Sequence, residues 1–495
     1  MVLSVLAKGQ IRNISAIEGQ TVLQALQNAD IFVEATCGGG GTCGKCLVQI
    51  DNIPRLACQI PAMDGMEVVV DGWHSDDFAI VNIPVNHEAM ASRKGASYGL
   101  AIDIGTTTIA LALVDLQGDP FNQVIFSHGV VNSQRALGAD VISRIKAADE
   151  GHLDTLNQYV TDGICRSITY ICEENNISTD AIKTMAVSGN TTMLHILMGI
   201  SCHALGQYPF TPVFIDLQRK SFEEIFGTGL LSCEVLLLPG ISTYVGADVA
   251  AGVLYGYTLK AEDEKKDGLR LLVDLGTNGE LALFSQDVVI GTATAAGPAF
   301  EAGNISCGTG SIPGAIAKAI YNPKMAAFEY ETIDGHKPIG ICGSGVLDIA
   351  AQLVLYGFID EVGSLEDNFT IAPGIVFTQK DVRELQLAKS AVRAGIEILL
   401  IEAGASYNDI TTVYLAGGFG HTLNLESALT LGILPKEWRN KVKAIGNSSL
   451  AGGVQVLTNP ATLNTMVDFT ANAKEINLSA HPQFNDLFME HMIFE

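Results

Sequence analysis

The chain has 495 residues, 48% of them hydrophobic and 17% charged, with a formal net charge of −25. That is enough apolar material for about three domains, and so acidic a surface repels nucleic acid and anionic membrane, so neither is expected as a partner. No apolar run reaches the ~18–20 residues of a membrane span, and Met1–Ala7 is too short for a signal-peptide core and lacks a basic leader.

Residues 2–7 and 10–15 alternate as two strands, and 21–26 reads as a short helix with Thr21 near its start. A glycine-rich stretch follows, with Cys37, Cys43 and Cys46 spaced C-x5-C-x2-C and Cys58 downstream. Residues 47–50 and 66–70 read as further strands. A 1–75 domain of strand, strand, helix, cysteine loop, strand, strand has the β-grasp order of small ferredoxins.

Four cysteines in this pattern suit a [2Fe–2S] cluster, because each iron takes two thiolates. The glycines let the backbone wrap closely and aim N–H groups at sulfur. Other chemistries compete. Cys43-Gly44-Lys45-Cys46 alone suits a redox dithiol, and the cysteines also suit zinc. Gly39 to Gly44 spells G-x-G-x-x-G and Gly39 to Cys46 nearly spells a Walker A loop. However, Cys46 stands where Ser or Thr should meet magnesium, and no hydrophobic strand leads into the loop. The cluster alone accounts for both the spacing and the glycines, and the loop resembles that of plant-type and adrenodoxin-type ferredoxins. The remaining cysteines, at 165, 172, 202, 233, 307 and 342, are scattered and mostly in apolar contexts, so they read as buried thiols in a reducing cytoplasm.

Residues 76–96 read as a linker. A buried strand at 98–104 then runs into a turn, Asp103-Ile104-Gly105-Thr106-Thr107-Thr108, and returns over 109–115. A third strand falls within 121–132, a helix over 154–176, a strand at 185–188, then Gly189-Asn190-Thr191-Thr192 and a helix to Met198. The arrangement recurs at Leu271 to Glu280, with Asp274, Gly276 and Thr277 repeating Asp103, Gly105 and Thr106. Helices are expected at 345–357 and 380–404, a strand at 413–416, a Gly417-Gly418 turn echoing Gly189, a strand at 442–447, and one helix over 448–470. Residues 97–260 and 261–495 thus form two α/β lobes of similar design.

A Gly/Thr hairpin offers N–H and hydroxyl donors to phosphate, and an aspartate at the strand end can hold Mg²⁺, usually through water. One D-x-G-T is mostly a plain turn, but two copies at equivalent positions on opposed lobes can clamp a triphosphate. Gly417-Gly418 leaves room for a purine. Asp103, Asp274 and Glu280 are the candidate catalytic residues. Gly105, Thr106, Thr107, Thr108, Asn190, Gly276, Thr277, Asn278, Gly279, Gly343, Ser344, Gly417 and Gly418 are the candidate cofactor contacts. Cys342-Gly343-Ser344-Gly345 lacks the first glycine of a nucleophile elbow and reads as a tight turn into a helix. Asp248 and Glu301, after glycine-rich turns, suit magnesium, water or a helix cap. His195, on an apolar helix, reads as a packed core residue.

These motifs resemble the actin, Hsp70 and sugar-kinase (ASKHA, RNase H-like) superfamily. Asp103 to Thr108 and Asp274 to Gly279 match its phosphate motifs, and Gly417-Gly418 its adenosine motif. The resemblance implies ATP in the interlobe cleft. The fusion to a ferredoxin domain resembles, more closely, the reductive activators of corrinoid proteins. The likeness runs through Gly189 to His195, Pro209 to Pro212, Val245 to Asp248, Asp274 to Glu280, Ala295 to Glu301, Ile341 to Gly345, Gln379 to Arg383 and Leu415 to Gly420. It implies a multidomain α/β protein in which a [2Fe–2S] centre ligated by Cys37, Cys43, Cys46 and Cys58, driven by ATP and Mg²⁺, returns Co(II) corrinoid to Co(I). Such an enzyme serves anaerobic methyl transfer and O-demethylation. Its implied partners are a corrinoid protein, an upstream donor such as a low-potential ferredoxin or flavoprotein, and a second copy in a homodimer. Two departures stand out. Only eleven residues separate Cys46 from Cys58, fewer than in other members. Residues 76–96 are also too few for the middle domain that members carry and that is implicated in dimerisation. Rival readings are an activator of another low-potential enzyme, a small-molecule kinase with a redox-sensing domain, and a nucleotide-binding scaffold without turnover.

Overall fold

The computed structural model describes residues 1–7, 10–17, 19–29, 31, 33, 46–50, 53–70, 83–85, 96–118, 123–259, 268–276, 279–417 and 423–494. The N-terminal sheet holds β1 (Val2–Ala7), β2 (Gln10–Ser15), β3 (Leu47–Ile50), β4 (Ile53–Leu56) and β5 (Glu67–Val69), with α1 (Val22–Asn28) between β2 and β3. Its order is β2-β1-β5-β3-β4, with β1 and β5 parallel and the other pairs antiparallel. Leu3, Val5, Val22, Leu26, Val48 and Val68 share its core. Strand β4 was not expected from sequence, because Pro54 interrupts it. Proline is tolerated there since β4 is an edge strand.

The next sheet holds β6 (Tyr98–Ile104), β7 (Thr108–Asp115), β8 (Val124–Val131), β9 (Ile182–Gly189), β10 (Gln218–Ser221) and β11 (Glu234–Leu237), with α2 (Val141–Ala147), α3 (Leu153–Glu174), α4 (Thr191–Leu197) and α5 (Ala247–Thr258). β6 is buried on both faces, so it reads as a continuous apolar run rather than an alternation. Helix α3 buries Leu156, Val160, Ile164, Ile168 and Ile171, one per turn.

A third sheet holds β12 (Leu269–Leu275), β13 (Gly279–Phe284) and β14 (Val289–Thr294). A smaller subdomain follows, made of β15 (Ala315–Asn322), β16 (Ala327–Thr332), β17 (Gly340–Ile341), α6 (Gly343–Leu355) and the hairpin β18 (Phe369–Ala372)–β19 (Ile375–Phe377). The chain then adds α7 (Gln379–Ala403), β20 (Ile410–Ala416), β21 (Val442–Gly446), α8 (Ser448–Thr458), α9 (Pro460–Asn472) and β22 (Lys474–Glu475). A capping box of Thr378 and Asp381 starts α7, and Gly404 at φ 61° ends it.

The two large sheets repeat one plan. The first runs β10-β11-β9-β6-β7-β8 and the second β21-β20-β12-β13-β14-β22. In each, the strand bearing the aspartate pairs antiparallel with its hairpin partner and parallel with a later strand. Asp103 lies opposite Ser188, and Asp274 opposite Ala416.

The single helix expected over 448–470 is two. Asn459 is extended at φ −137°, ψ 93°, and Pro460 opens α9. A proline cannot donate within a helix and drives its predecessor out of the α region. The ends of the lobes also interlock. Helix α8 packs on β6, β7 and β9 of the first sheet, and α5 packs on β9, β12 and β13. Leu450, Val454, Leu463 and Met466 accordingly belong to the first lobe's core.

Helices α5 and α8 cross at glycines. A Cβ on Gly452 would overlap the Ala251 carbonyl, and one on Gly252 would lie 2.7 Å from Ser448 Oγ. At Gly452 backbone meets backbone, so there is no side chain to give way. Gly452→Ala is therefore expected to lower stability by about 1–3 kcal/mol, as overpacking does, read as a fall in melting temperature. An unchanged melting temperature would contradict this crossing.

Candidate functional site

Strand β6 ends at the first Asp-Gly-Thr turn. The Gly105 N–H donates to the Thr108 carbonyl at 2.9 Å, and a Cβ on Gly105 would sit 2.7 Å from that oxygen, so the turn closes only on glycine. Three successive carbonyls point into the lobe. That of Gly105 accepts from Asn132 Nδ2 at 2.8 Å, that of Thr106 from Arg144 Nη2, and that of Thr107 from the Asn132 N–H at 2.9 Å. In a planar trans peptide the N–H points opposite its C=O. The Thr106 and Thr107 N–H groups therefore face away from the lobe, as an anion-binding turn requires. Asn190 caps α4 by accepting from the Met193 N–H at 2.9 Å, and its amide reaches Thr106 Oγ1 at 3.5 Å.

Carboxyl groups meet beside this turn. Asp103 accepts from Ser449 Oγ at 2.7 Å and from Asn447 Nδ2 at 2.9 Å. Ser449 in turn lies 2.8 Å from Ser188 Oγ. Burial raises the Asp103 pKa, and the bonds from Ser449 and Asn447 oppose that rise. Asp274 is pushed up to about 7 by burial and then by Asp248, Asp103 and Glu301. Asp248 is also pushed up to about 7, by burial and then by Asp103. None of the groups acting on these three aspartates is a Lys or Arg among the described residues. Among the described residues no three acidic, His or Cys side chains meet closely enough to ligate a metal directly, so these half-buried acids, with no cation beside them, suit a divalent ion held through water.

The supports are crossed between the lobes. Asp248 is the second residue of α5, in the first lobe, and acts on Asp274 of the second. Ser449 is the second residue of α8, from the end of the chain, and holds Asp103 of the first. Both helices thus begin at the cleft.

At the second turn, Glu280 stands opposite Asp274 and Gly279 opposite Leu275 in the β12–β13 register. A Cβ on Gly279 would lie 2.5 Å from Thr294 Oγ1. Gly417, at φ 85°, follows β20 so closely that a Cβ there would sit 2.7 Å from Asp274 Oδ1. Gly276 also falls in the described turn, whereas Thr277, Asn278 and Gly418 lie outside the described residues. Gly343 and Ser344 open α6 in the smaller subdomain, and the Ser344 hydroxyl donates to the Ala317 carbonyl at 2.8 Å. That hydroxyl ties α6 to β15, which leaves backbone as what this turn can offer a ligand. His195 is fully buried, with Nδ1 2.7 Å from the Thr191 carbonyl and Nε2 accepting from the Val213 N–H at 3.0 Å. Both ring nitrogens serve the fold.

Sequence reasoning did not find Asn132, Arg144, Asn447 or Ser449. One signal was present: Gly446-Asn447-Ser448-Ser449 repeats the Gly-Asn-hydroxyl-hydroxyl pattern of Gly189-Asn190-Thr191-Thr192, and both asparagines cap helices.

In the N-terminal domain, β3 and β4 form a hairpin pairing Leu47 with Leu56, and the Ala57 N–H donates to the Cys46 carbonyl at 2.7 Å. Cys58 thus returns one residue past the position opposite Cys46, and both are buried. A hairpin closes an eleven-residue gap that looked short in sequence. This half of the donor set fits a cluster; Cys37 and Cys43 lie outside the described residues.

Three family profiles match the chain. Residues 12–71 match a 2Fe-2S iron-sulfur cluster binding domain, 98–259 the RACo middle region, and 268–495 the C-terminal domain of RACo, the ASKHA domain. The corrinoid activation enzyme RamQ of Eubacterium limosum is 31% identical over 463 residues, spanning 87% of this chain and 74% of the relative. The chain belongs to the reductive activators of corrinoid proteins. A [Co(II) methylated amine-specific corrinoid protein] reductase of Methanosarcina barkeri is 26% identical over 425 residues, covering 79% of this chain and 76% of the relative. A solved reductive activator for corrinoid, iron-sulfur protein aligns with a TM-score of 0.70 at 26% identity, over 100% of this chain and 98% of that one. The activators' middle region falls here on the first α/β lobe rather than on residues 76–96. Among the described residues no helix is long and apolar enough to cross a membrane.

Two outcomes follow from this geometry. Asp248 and Asp274 hold protons in the folded chain up to about pH 7, whereas unfolded aspartates release theirs near 4. Stability should therefore fall as pH rises from about 4 to about 7 and then level. Melting of metal-free protein from pH 5 to 8 tests this, and Asp274→Asn should flatten the profile; an equally steep profile in that variant would contradict it. In the N-terminal domain, Cys58→Ala should abolish the normal paramagnetic signal of the reduced [2Fe–2S] centre. Retention of that signal would place the fourth ligand elsewhere.

Proposed function

We propose that this chain couples ATP and Mg²⁺ to the one-electron reduction of a corrinoid protein's cobalt from inactive Co(II) to Co(I). The half-buried group of acids beside an outward-facing N–H turn carries the nucleotide part of the reading, and the iron–sulfur domain on the same chain carries the electron-transfer part. The relatives named above act on corrinoid proteins, which supports a corrinoid protein as the partner.

The [2Fe–2S] group, when bound, supplies the electron, and the Mg²⁺ nucleotide supplies the driving force. The first turn receives phosphate oxygens on the Thr106 and Thr107 N–H groups. Asp103, Asp248 and Asp274 would hold the cation through water, and Gly417 would admit the nucleotide close to Asp274. Thr108 and Gly105 fix the turn's width. A driving force is needed because plant-type centres lie near −400 mV and Co(II)/Co(I) lies lower while cobalt keeps an axial ligand. A shortfall of about 100 mV for one electron amounts to roughly 2.3 kcal/mol. Closure of the lobes on nucleotide supplies that by favouring the partner in a more reducible state.

Anaerobic mixing of the protein, a Co(II) corrinoid protein and Ti(III) as donor tests the proposal. The Co(I) absorbance should appear only with Mg²⁺ and ATP, and Asp274→Asn should slow its appearance at least tenfold, the order of one lost charged contact. Absence of Co(I) with every candidate corrinoid protein, or its formation without ATP, would overturn it.

A further inference from the structure

Behind the first turn lies a buried cation that the reaction scheme does not yet use. Arg144, on α2, is fully buried. Its guanidinium donates only to uncharged acceptors: Nε to the Gly138 carbonyl at 3.0 Å, Nη1 to Gln134 Oε1 at 3.0 Å and to Met193 Sδ at 2.9 Å, and Nη2 to the Thr106 carbonyl. Gln134 is itself fixed, donating to the Leu156 carbonyl at 2.9 Å and accepting from Asn132 Nδ2 at 3.2 Å. Among the described residues no carboxylate forms an ion pair with Arg144. Asp140 acts on it from a distance, but its side chain caps α2 on the Ser143 N–H at 2.7 Å, and Arg135 acts in the opposite sense. Burial pushes Arg144 down to about 9, which still leaves it charged at neutral pH.

A fully buried charge without a counter-charge is strongly disfavoured. A neutral amide could brace the same carbonyls, so bracing alone does not account for a guanidinium here. The charge sits one peptide unit behind the N–H groups that face the cleft. The bond to the Thr106 carbonyl also fixes the direction of the Thr107 N–H, because the two share a peptide plane.

We infer that Arg144 is a positioning residue for the nucleotide: a phosphate at the first turn is its missing counter-charge, and its bond to Thr106 aims the Thr107 N–H at that phosphate. This rests on the nucleotide reading of the cleft. Because the interaction is with phosphate charge, it discriminates among ligands by charge. It contributes more to ATP than to ADP, more to ADP than to AMP, and little to the base. A purely structural brace would weaken all three nucleotides together and lower the melting temperature with them.

The test uses the full chain with its cluster and measures binding of AMP, ADP and ATP alongside melting without ligand. Arg144→Gln should weaken ATP by about 10- to 100-fold, the range of one hydrogen bond to a charged group. AMP binding should change by less than about threefold, and the ligand-free melting temperature should hold or rise, since a desolvated charge has been removed. In turnover, the KM for ATP should rise with kcat little changed. Arg144→Lys keeps the charge and loses the planar fork. It should retain the wild-type preference for ATP over AMP, and it carries the test if Arg144→Gln does not fold. Equal losses for AMP and ATP, undiminished ATP binding in Arg144→Gln, or collapse of the preference in Arg144→Lys would overturn the inference. If the unaltered protein binds ATP and Arg144→Gln binds it as well, this inference alone falls. If the unaltered protein binds no ATP, the reading of the cleft falls and takes this inference with it.

Discussion

Three aspartates lie half-buried where the lobes meet; Asp103 raises the proton affinity of Asp248, and Asp248, Asp103 and Glu301 raise that of Asp274. Such a cluster is unstable as a set of anions, and the surrounding structure is arranged around that fact. Asp103 is held by two hydrogen bonds from the far end of the chain. Asp248 lies in the first turn of α5 and Ser449 in the first turn of α8, where aligned peptide dipoles favour negative charge. At Gly417 a side chain would collide with Asp274. Each device keeps the carboxyls close together without supplying a full positive charge. The charge is left for a ligand to bring.

The first turn has the opposite deficit. Its N–H groups face outward because Asn132 and Arg144 pull three carbonyls inward, and the guanidinium doing part of that pulling has no anion of its own among the described residues. One edge of the cleft therefore lacks a cation and the other lacks an anion, a few residues apart in sequence at Asp103 and Thr106. A metal ion alone answers the first and a free phosphate answers the second. A metal–polyphosphate, as in the proposed function, answers both.

How much of this could be read from the chain depended on the range of each interaction. The two Asp-Gly-Thr turns were legible because a buried strand and the turn that ends it are contiguous, and because the pattern occurs twice. An iron–sulfur domain was legible from the cysteine spacing together with the glycines, and residues 12–71 match such a domain. The crossing of α5 and α8 was not, since Gly252 and Gly452 are two hundred residues apart and a glycine in a helix carries no mark of what it touches. Ser449 was hidden for the same reason: it serves Asp103 from 346 positions away. Arg144 was hidden differently. Its helix is short and a lone arginine on it reads as a solvated residue, so only the tertiary fold shows that it lies beneath a turn. The β3–β4 hairpin was missed because Pro54 argues against a strand unless the strand is known to be an edge.

The crossed supports bear on how a change at the cleft is transmitted. The first lobe's helix α5 places Asp248 beside the second lobe's Asp274, and α8 brings Ser449 to the first lobe's Asp103. Neutralising the acid cluster therefore alters the forces on both helices at once. Those helices touch at Gly452, where backbone meets the Ala251 backbone, and at Gly252, which faces the Ser448 side chain. Packed interiors shift between discrete arrangements rather than deforming smoothly. A pair of helices in such contact pivots more readily than it compresses. In chain order, β6, the strand that carries Asp103, is the first strand described after the N-terminal domain.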